Sequence, residues 1–87
     1  MNTQTTHLYN IEELDEALIE STIKEIYEAL KEKGYNPINQ IVGYLISSDP
    51  GYISSHKDAR KKIKKIDRTK LLEMLLKNYI GEDEWDI

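Results

Sequence analysis

Both prolines and three of the four glycines of this chain fall within residues 34–60, GYNPINQIVGYLISSDPGYISSHKDAR. No other feature constrains the fold as much. Proline removes a backbone donor and clashes with the preceding helical turn, whereas glycine supplies left-handed backbone at little steric cost. The chain is therefore cut into helical pieces at set places. Gly34 suits the residue just past a helix that ends near Lys33. Asn36-Pro37 pairs a cap residue with proline at the first helical position, and Asp49-Pro50-Gly51 makes a turn.

Between these cuts the apolar residues recur at helical spacing. Ile19, Ile23, Ile26, Tyr27 and Leu30 share one face, with Leu14 and Leu18 nearly opposite. That second ridge suits either contact with another protomer or first turns that belong to a different helix. Asn10 with Glu13 resembles a capping box, so the first helix is expected over residues 10–33. Ile38, Ile41, Val42, Leu45 and Ile46 give the second helix a wide apolar face. Gly43 interrupts it at a cost of about 1 kcal/mol relative to alanine, which implies close approach by a neighbouring backbone. A third helix is expected over residues 56–66, capped by Ser54 or Ser55. Asp67 caps a fourth that ends at Gly81, with Leu71, Leu72, Leu75, Leu76, Tyr79 and Ile80 inward and a Glu73–Lys77 pair.

The expected fold is all-α: a compact four-helix single domain over residues 10–81. A flexible arm, residues 1–9, precedes it and an acidic tail, residues 82–87, follows. A chain of this length buries only about 60% of the surface its unfolded form exposes, so a homodimer is expected. Helix 2 and the turn at residues 49–53 carry little charge and are the expected interface. Tyr35, Tyr44 and Tyr52 suit core or interface, core being the favoured role for each.

The net charge is −4, but it is unevenly spread. Residues 11–20 carry only acids; residues 57–70 carry Lys57, Arg60, Lys61, Lys62, Lys64, Lys65, Arg68 and Lys70 against Asp58 and Asp67. Without cysteine there is no disulfide and no thiolate metal site. The opening MNTQTTHLYN has no basic region followed by an apolar run, so it does not read as a signal peptide. No apolar stretch approaches the roughly 18 residues that would span a bilayer. A cytoplasmic protein without membrane insertion is expected.

Enzyme readings fail early. His7 and His56 are the only histidines, and neither phosphate-binding glycine motif is present. His56 reads as a first-turn residue making a local hydrogen bond. No catalytic residue, metal or cofactor is expected. On a helical wheel Lys57, Arg60, Lys61, Lys64 and Arg68 project from one side of the third helix while Ala59, Ile63 and Ile66 project from the other. That basic face has three readings: a solvated surface, a site for an acidic or phosphorylated partner, or a nucleic-acid contact. The acidic overall balance and the lack of aromatics along the stripe disfavour nucleic acid. Thr3, Thr5 and Thr6 lie in the arm; a phosphate there would add about −1.5 to −2 charge and three acceptor oxygens that a lysine/arginine cluster can bind.

EALKEKGYNPINQIVGYLISSDPGYISSHKDAR resembles the centre of the IreB/ReoM family of small regulatory phosphoproteins of Gram-positive bacteria. E-K-G-Y-N-P-I-N-Q-I-V-G-Y is its most specific run, followed by D-P-x-Y-I and H-K-D-A-R. The resemblance implies a helical, dimeric, non-enzymatic protein phosphorylated by a PASTA-repeat Ser/Thr kinase and reversed by its partner phosphatase. It implies a role in cell-envelope homeostasis and resistance to cell-wall antibiotics. In part of the family the route is Clp-protease turnover of the enzyme that commits UDP-N-acetylglucosamine to peptidoglycan. The family's phosphothreonine precedes an aromatic and Asn/Asp pair, which matches Thr6 in Thr6-His7-Leu8-Tyr9-Asn10; Thr3 matches a second threonine of some members. Ser54 and Ser55 stand where family members commonly have proline and arginine, and lysines at 61, 62, 64 and 65 replace some arginines. The Trp85-containing tail is outside the pattern.

Overall fold

The computed structural model describes residues 3–81, with side chains described from Glu16 onward. Its elements are helices α1 (Thr3–Glu32), α2 (Pro37–Ser47), α3 (Ala59–Lys64) and α4 (Arg68–Ile80), with short 3₁₀ turns at Pro50–Tyr52 and His56–Asp58. No strand occurs among the described residues. The all-α, four-helix architecture follows the expectation, and α1 and α3 pack against each other at its centre.

The helix boundaries follow local hydrogen-bond chemistry. Gly34 takes φ +89° after α1, and the Tyr35 amide donates back to the Leu30 carbonyl at 3.0 Å. That six-residue closure satisfies a carbonyl the helix end would leave orphaned. Asn36 Oδ1 accepts from the Asn39 amide at 3.1 Å, and Pro37 opens α2. Asp49 Oδ1 accepts from the Gly51 amide at 2.8 Å, fixing the turn. Asp67 Oδ1 caps α4 through the Lys70 amide at 3.1 Å, and Gly81 closes it at φ 76°.

Two boundaries differ from the sequence expectation. The backbone of α1 is helical from Thr3, so Asn10 lies inside the helix rather than at its cap. No proline or glycine occurs before Asn10, and extending a helix costs far less than nucleating one. The third helix is shorter than residues 56–66: Lys57 and Asp58 both take left-handed backbone, φ 51° and 62°, so residues 56–58 form a separate turn and α3 begins only at Ala59.

The core joins Ile19, Ile26, Ala29 and Leu30 of α1 to Tyr44 of α2, Ile53 of the turn, Ala59 and Ile63 of α3, Ile66, and Leu71 of α4. Ile26, Leu30, Ile53 and Ile63 are its largest fully buried side chains. The α3 face read from the wheel, Ala59, Ile63 and Ile66, is buried as expected. The wide faces of the other two helices divide instead. On α2, Tyr44 is buried and Ile41 and Leu45 are partly so, while Ile38, Val42 and Ile46 face out, Ile46 being 80% exposed. On α4 only Leu71 is buried, with Met74 packed beside it. Leu72, Leu75, Leu76, Tyr79 and Ile80 form an exposed stripe, Tyr79 being 91% exposed. A single thin domain has no second layer to place over them. Glu73 and Lys77 form no ion pair. Of the three central tyrosines Tyr44 is core, whereas Tyr35 and Tyr52 are exposed.

The close neighbour of Gly43 is an aromatic ring, not a backbone. A Cβ there would stand 2.7 Å from Tyr52 Cδ1 and 3.1 Å from Cγ. Alanine would favour the helix by about 1 kcal/mol, but overpacking of this kind costs typically ~1–3 kcal/mol. Gly43→Ala is therefore expected to lower the urea midpoint, and the same change in a Tyr52→Ala background to raise it.

Candidate functional site

The five basic residues expected on one stripe are distributed over three backbone segments. Lys57 belongs to the left-handed turn, Arg60, Lys61 and Lys64 to α3, and Arg68 to the start of α4. Three of them are engaged inside the fold. Arg60 Nε donates to the Ile53 carbonyl at 2.8 Å, anchoring the turn that carries the buried Ile53. Arg68 Nη1 donates to the Leu45 carbonyl at 2.7 Å. Leu45 lies in the last turn of α2, where carbonyls lack helical partners and the dipole favours a cation. Lys57 Nζ sits 3.0 Å from Glu32 Oε1. Lys62, on the same short helix, pairs with Glu25 at 3.0 Å.

Lys61 and Lys64 remain exposed, with no side-chain partner among the described residues. Lys65 shares that condition and stands four residues from Lys61, on the same face. The candidate cationic surface thus contracts to Lys61, Lys64 and Lys65. Lys65 was not among the expected residues, although its spacing from Lys61 was the available signal.

His56 makes the expected local hydrogen bond through its backbone amide and a distant contact through its ring. Its Nε2 lies 2.9 Å from Glu32 Oε1, at the far end of α1 in sequence, while its amide donates to Ser54 Oγ at 3.1 Å. Ser54 in turn donates its amide to Gln40 Oε1 at 2.9 Å. Ser55 occupies the position before the turn but makes no side-chain cap. Glu32 therefore receives His56 and Lys57 together and ties the left-handed turn to α1. The hydrogen bond from His56, then that from Lys57, hold the Glu32 carboxyl below its ordinary range. A depressed folded-state pKa contributes stability above the unfolded value, and that contribution is lost as pH falls through the folded pKa. Glu32→Gln is accordingly expected to melt below the wild type at neutral pH, with the difference closing as pH falls through and below the ordinary carboxylate range. Thermal melts of both proteins across that range check it.

Thr3 and Thr6 fall on the first turns of α1, but their side chains, like those of Thr5 and His7, lie outside the described residues, as do Trp85 and the rest of the 82–87 tail. Among the described residues no group of histidine and carboxylate side chains could hold a metal ion. No helix there is long and apolar enough to cross a membrane.

The geometry defines a small helical module whose described surface includes free lysines and exposed apolar stripes. Comparison with known proteins places it more closely. The model of the IreB regulatory phosphoprotein family matches residues 4–81, and the chain belongs to that family. A UPF0297 protein of Acetivibrio thermocellus is 48% identical over 82 residues, covering 94% of this chain and 91% of that one. A regulatory role is thereby supported.

Proposed function

We propose that this protein is a cytoplasmic, kinase-controlled adaptor with no catalytic activity of its own. Thr6 is the principal phosphoacceptor, with Thr3 second, for a PASTA-repeat Ser/Thr kinase, and the cognate phosphatase reverses the mark. The N-terminal residues, 1–9, act as the regulatory arm, and residues 10–81 present the surface that is regulated. Lys61, Lys64 and Lys65 bind an acidic partner, while Lys57, Arg60 and Arg68 hold that surface in shape. The output is control of cell-envelope homeostasis and of resistance to cell-wall antibiotics, through Clp-dependent turnover of a peptidoglycan-precursor enzyme.

The observation that carries this reading is membership of a regulatory phosphoprotein family over almost the whole chain, joined to three free lysines on one face. A phosphate on Thr6 would change that face in either of two ways: by docking on it once the first turns of α1 unwind, or by repelling an acidic partner. The test is a pull-down with phosphorylated and unphosphorylated protein, compared by mass spectrometry. A partner set that differs between the two and is lost in Lys61→Glu/Lys64→Glu supports the adaptor. Identical sets in all three samples would sink it.

The same protein is proposed to act as a homodimer. The observation favouring this is the α4 stripe Leu72, Leu75, Leu76, Tyr79 and Ile80, with Ile38, Val42 and Ile46 on α2. Exposed apolar stripes of this kind mark interaction surfaces in small proteins. The interface therefore includes α4 as well as the α2 surface. Sedimentation of the wild type at micromolar concentration should give a dimer mass, and Leu76→Glu/Tyr79→Glu a monomer. A monomeric wild type contradicts the proposal.

A further inference from the structure

A groove of about 430 Å³ separates α1 from the corner between α3 and α4. Leu18, Ile19 and Ile66 give it an apolar floor, and Leu18 is 59% exposed. Lys62 and Lys65 at the end of α3 and Lys70 on α4 form its rim. Its two acids are already committed: Glu25 pairs with Lys62 at 3.0 Å, and Asp67 caps α4 through the Lys70 amide. Lys65 brings an unmatched positive charge to the edge of an apolar slot. A slot of that chemistry suits an acidic segment with one large apolar side chain.

The chain contains such a segment, Glu82-Asp83-Glu84-Trp85-Asp86-Ile87, immediately after α4. Its reach is sufficient. The stretch from Gly81 back to Lys70 spans about 17 Å at the helical rise of 1.5 Å per residue. Residues 82–85 extended cover about 13–14 Å, and the indole supplies the remainder. Lys77 and Lys70 lie on the same face of α4 as Met74, so a tail running back along it meets cations on its way. Glu73 is the only acid within α4.

We propose that this groove binds the chain's own acidic tail, with Trp85 on the Leu18–Ile19–Ile66 floor and the tail carboxylates toward Lys65 and Lys70. The docked tail occupies Lys65, so it competes with an acidic partner for one end of the free lysine face. That consequence rests on the partner surface proposed above; the docking itself does not.

Trp85 is the only tryptophan, so intrinsic fluorescence of the full chain reports on the tail directly. The expected result is emission blue-shifted from that of the free peptide EDEWDI, with acrylamide quenching reduced several-fold. Leu18→Ser and Lys65→Glu should each return both signals toward the free peptide, and the remote Lys33→Glu should not. Both test positions are exposed, so the fold survives, as far-UV circular dichroism checks. Three results would overturn the proposal: free-peptide emission and quenching in the wild type, a blue-shifted signal that neither groove variant moves, or protection that disappears on dilution to monomer, which assigns the tail to a second copy.

Discussion

Ile53→Ala is expected to cost ~2–5 kcal/mol of folding stability, the range for emptying a fully buried isoleucine site. A domain of this size has a total of about 4–13 kcal/mol at ~0.05–0.15 kcal/mol per residue. The substitution therefore removes a large share of what holds the chain folded. Ile53 is fully buried although it lies between two turns rather than within a helix. It plugs the core shared by α1 and α3, and its carbonyl accepts from Arg60. Urea denaturation should show a lower midpoint at unchanged slope. Ile53→Val should cost only ~0.5–1.5 kcal/mol. A loss below about 1 kcal/mol for the alanine variant would mean that the turn is not the plug described.

Arg68→Ala is expected to cost about 1.5–3 kcal/mol, the range for a hydrogen bond made by a charged group. The loss has two parts: the guanidinium leaves, and the Leu45 carbonyl at the end of α2 is left without its donor. Arg68→Lys should recover little, because a compact ammonium on a different stem does not reproduce the planar fork. Lys61→Ala and Lys64→Ala should stay within about 0.5 kcal/mol of wild type, as exposed positions without partners do. Measured side by side, these variants separate the basic residues that build the surface from those that present charge. A partner-binding defect in Arg68→Ala is evidence for a contact only after its lost stability is accounted for.

The features legible in the sequence are those set by neighbours in the chain. Asn36-Pro37, Asp49-Pro50-Gly51, Asp67, Gly34 and Gly81 act within a turn or two, and each does what its residue type implies. The α3 core face, Ala59, Ile63 and Ile66, was legible for the same reason. The basic stripe was not, because a helical wheel presumes one continuous helix. Two left-handed residues, Lys57 and Asp58, and a second break before Asp67 divide it. Nor does spacing reveal that Arg60 and Arg68 reach backbone carbonyls seven and 23 residues away, or that His56 meets Glu32 across 24. The outward face of α4 has the same cause at a larger scale. Periodicity shows that Leu72, Leu75, Leu76 and Tyr79 share a side, not which body covers it.

The central claim, that the chain is a regulated phosphoprotein switched through its N-terminal residues, has one direct measurement. The full-length protein is incubated with the organism's PASTA-repeat kinase and ATP, and the phosphate is mapped by mass spectrometry. The account predicts phosphate on Thr6, with Thr3 as the secondary site, and its removal by the partner phosphatase. A chain that returns without phosphate on either threonine contradicts it.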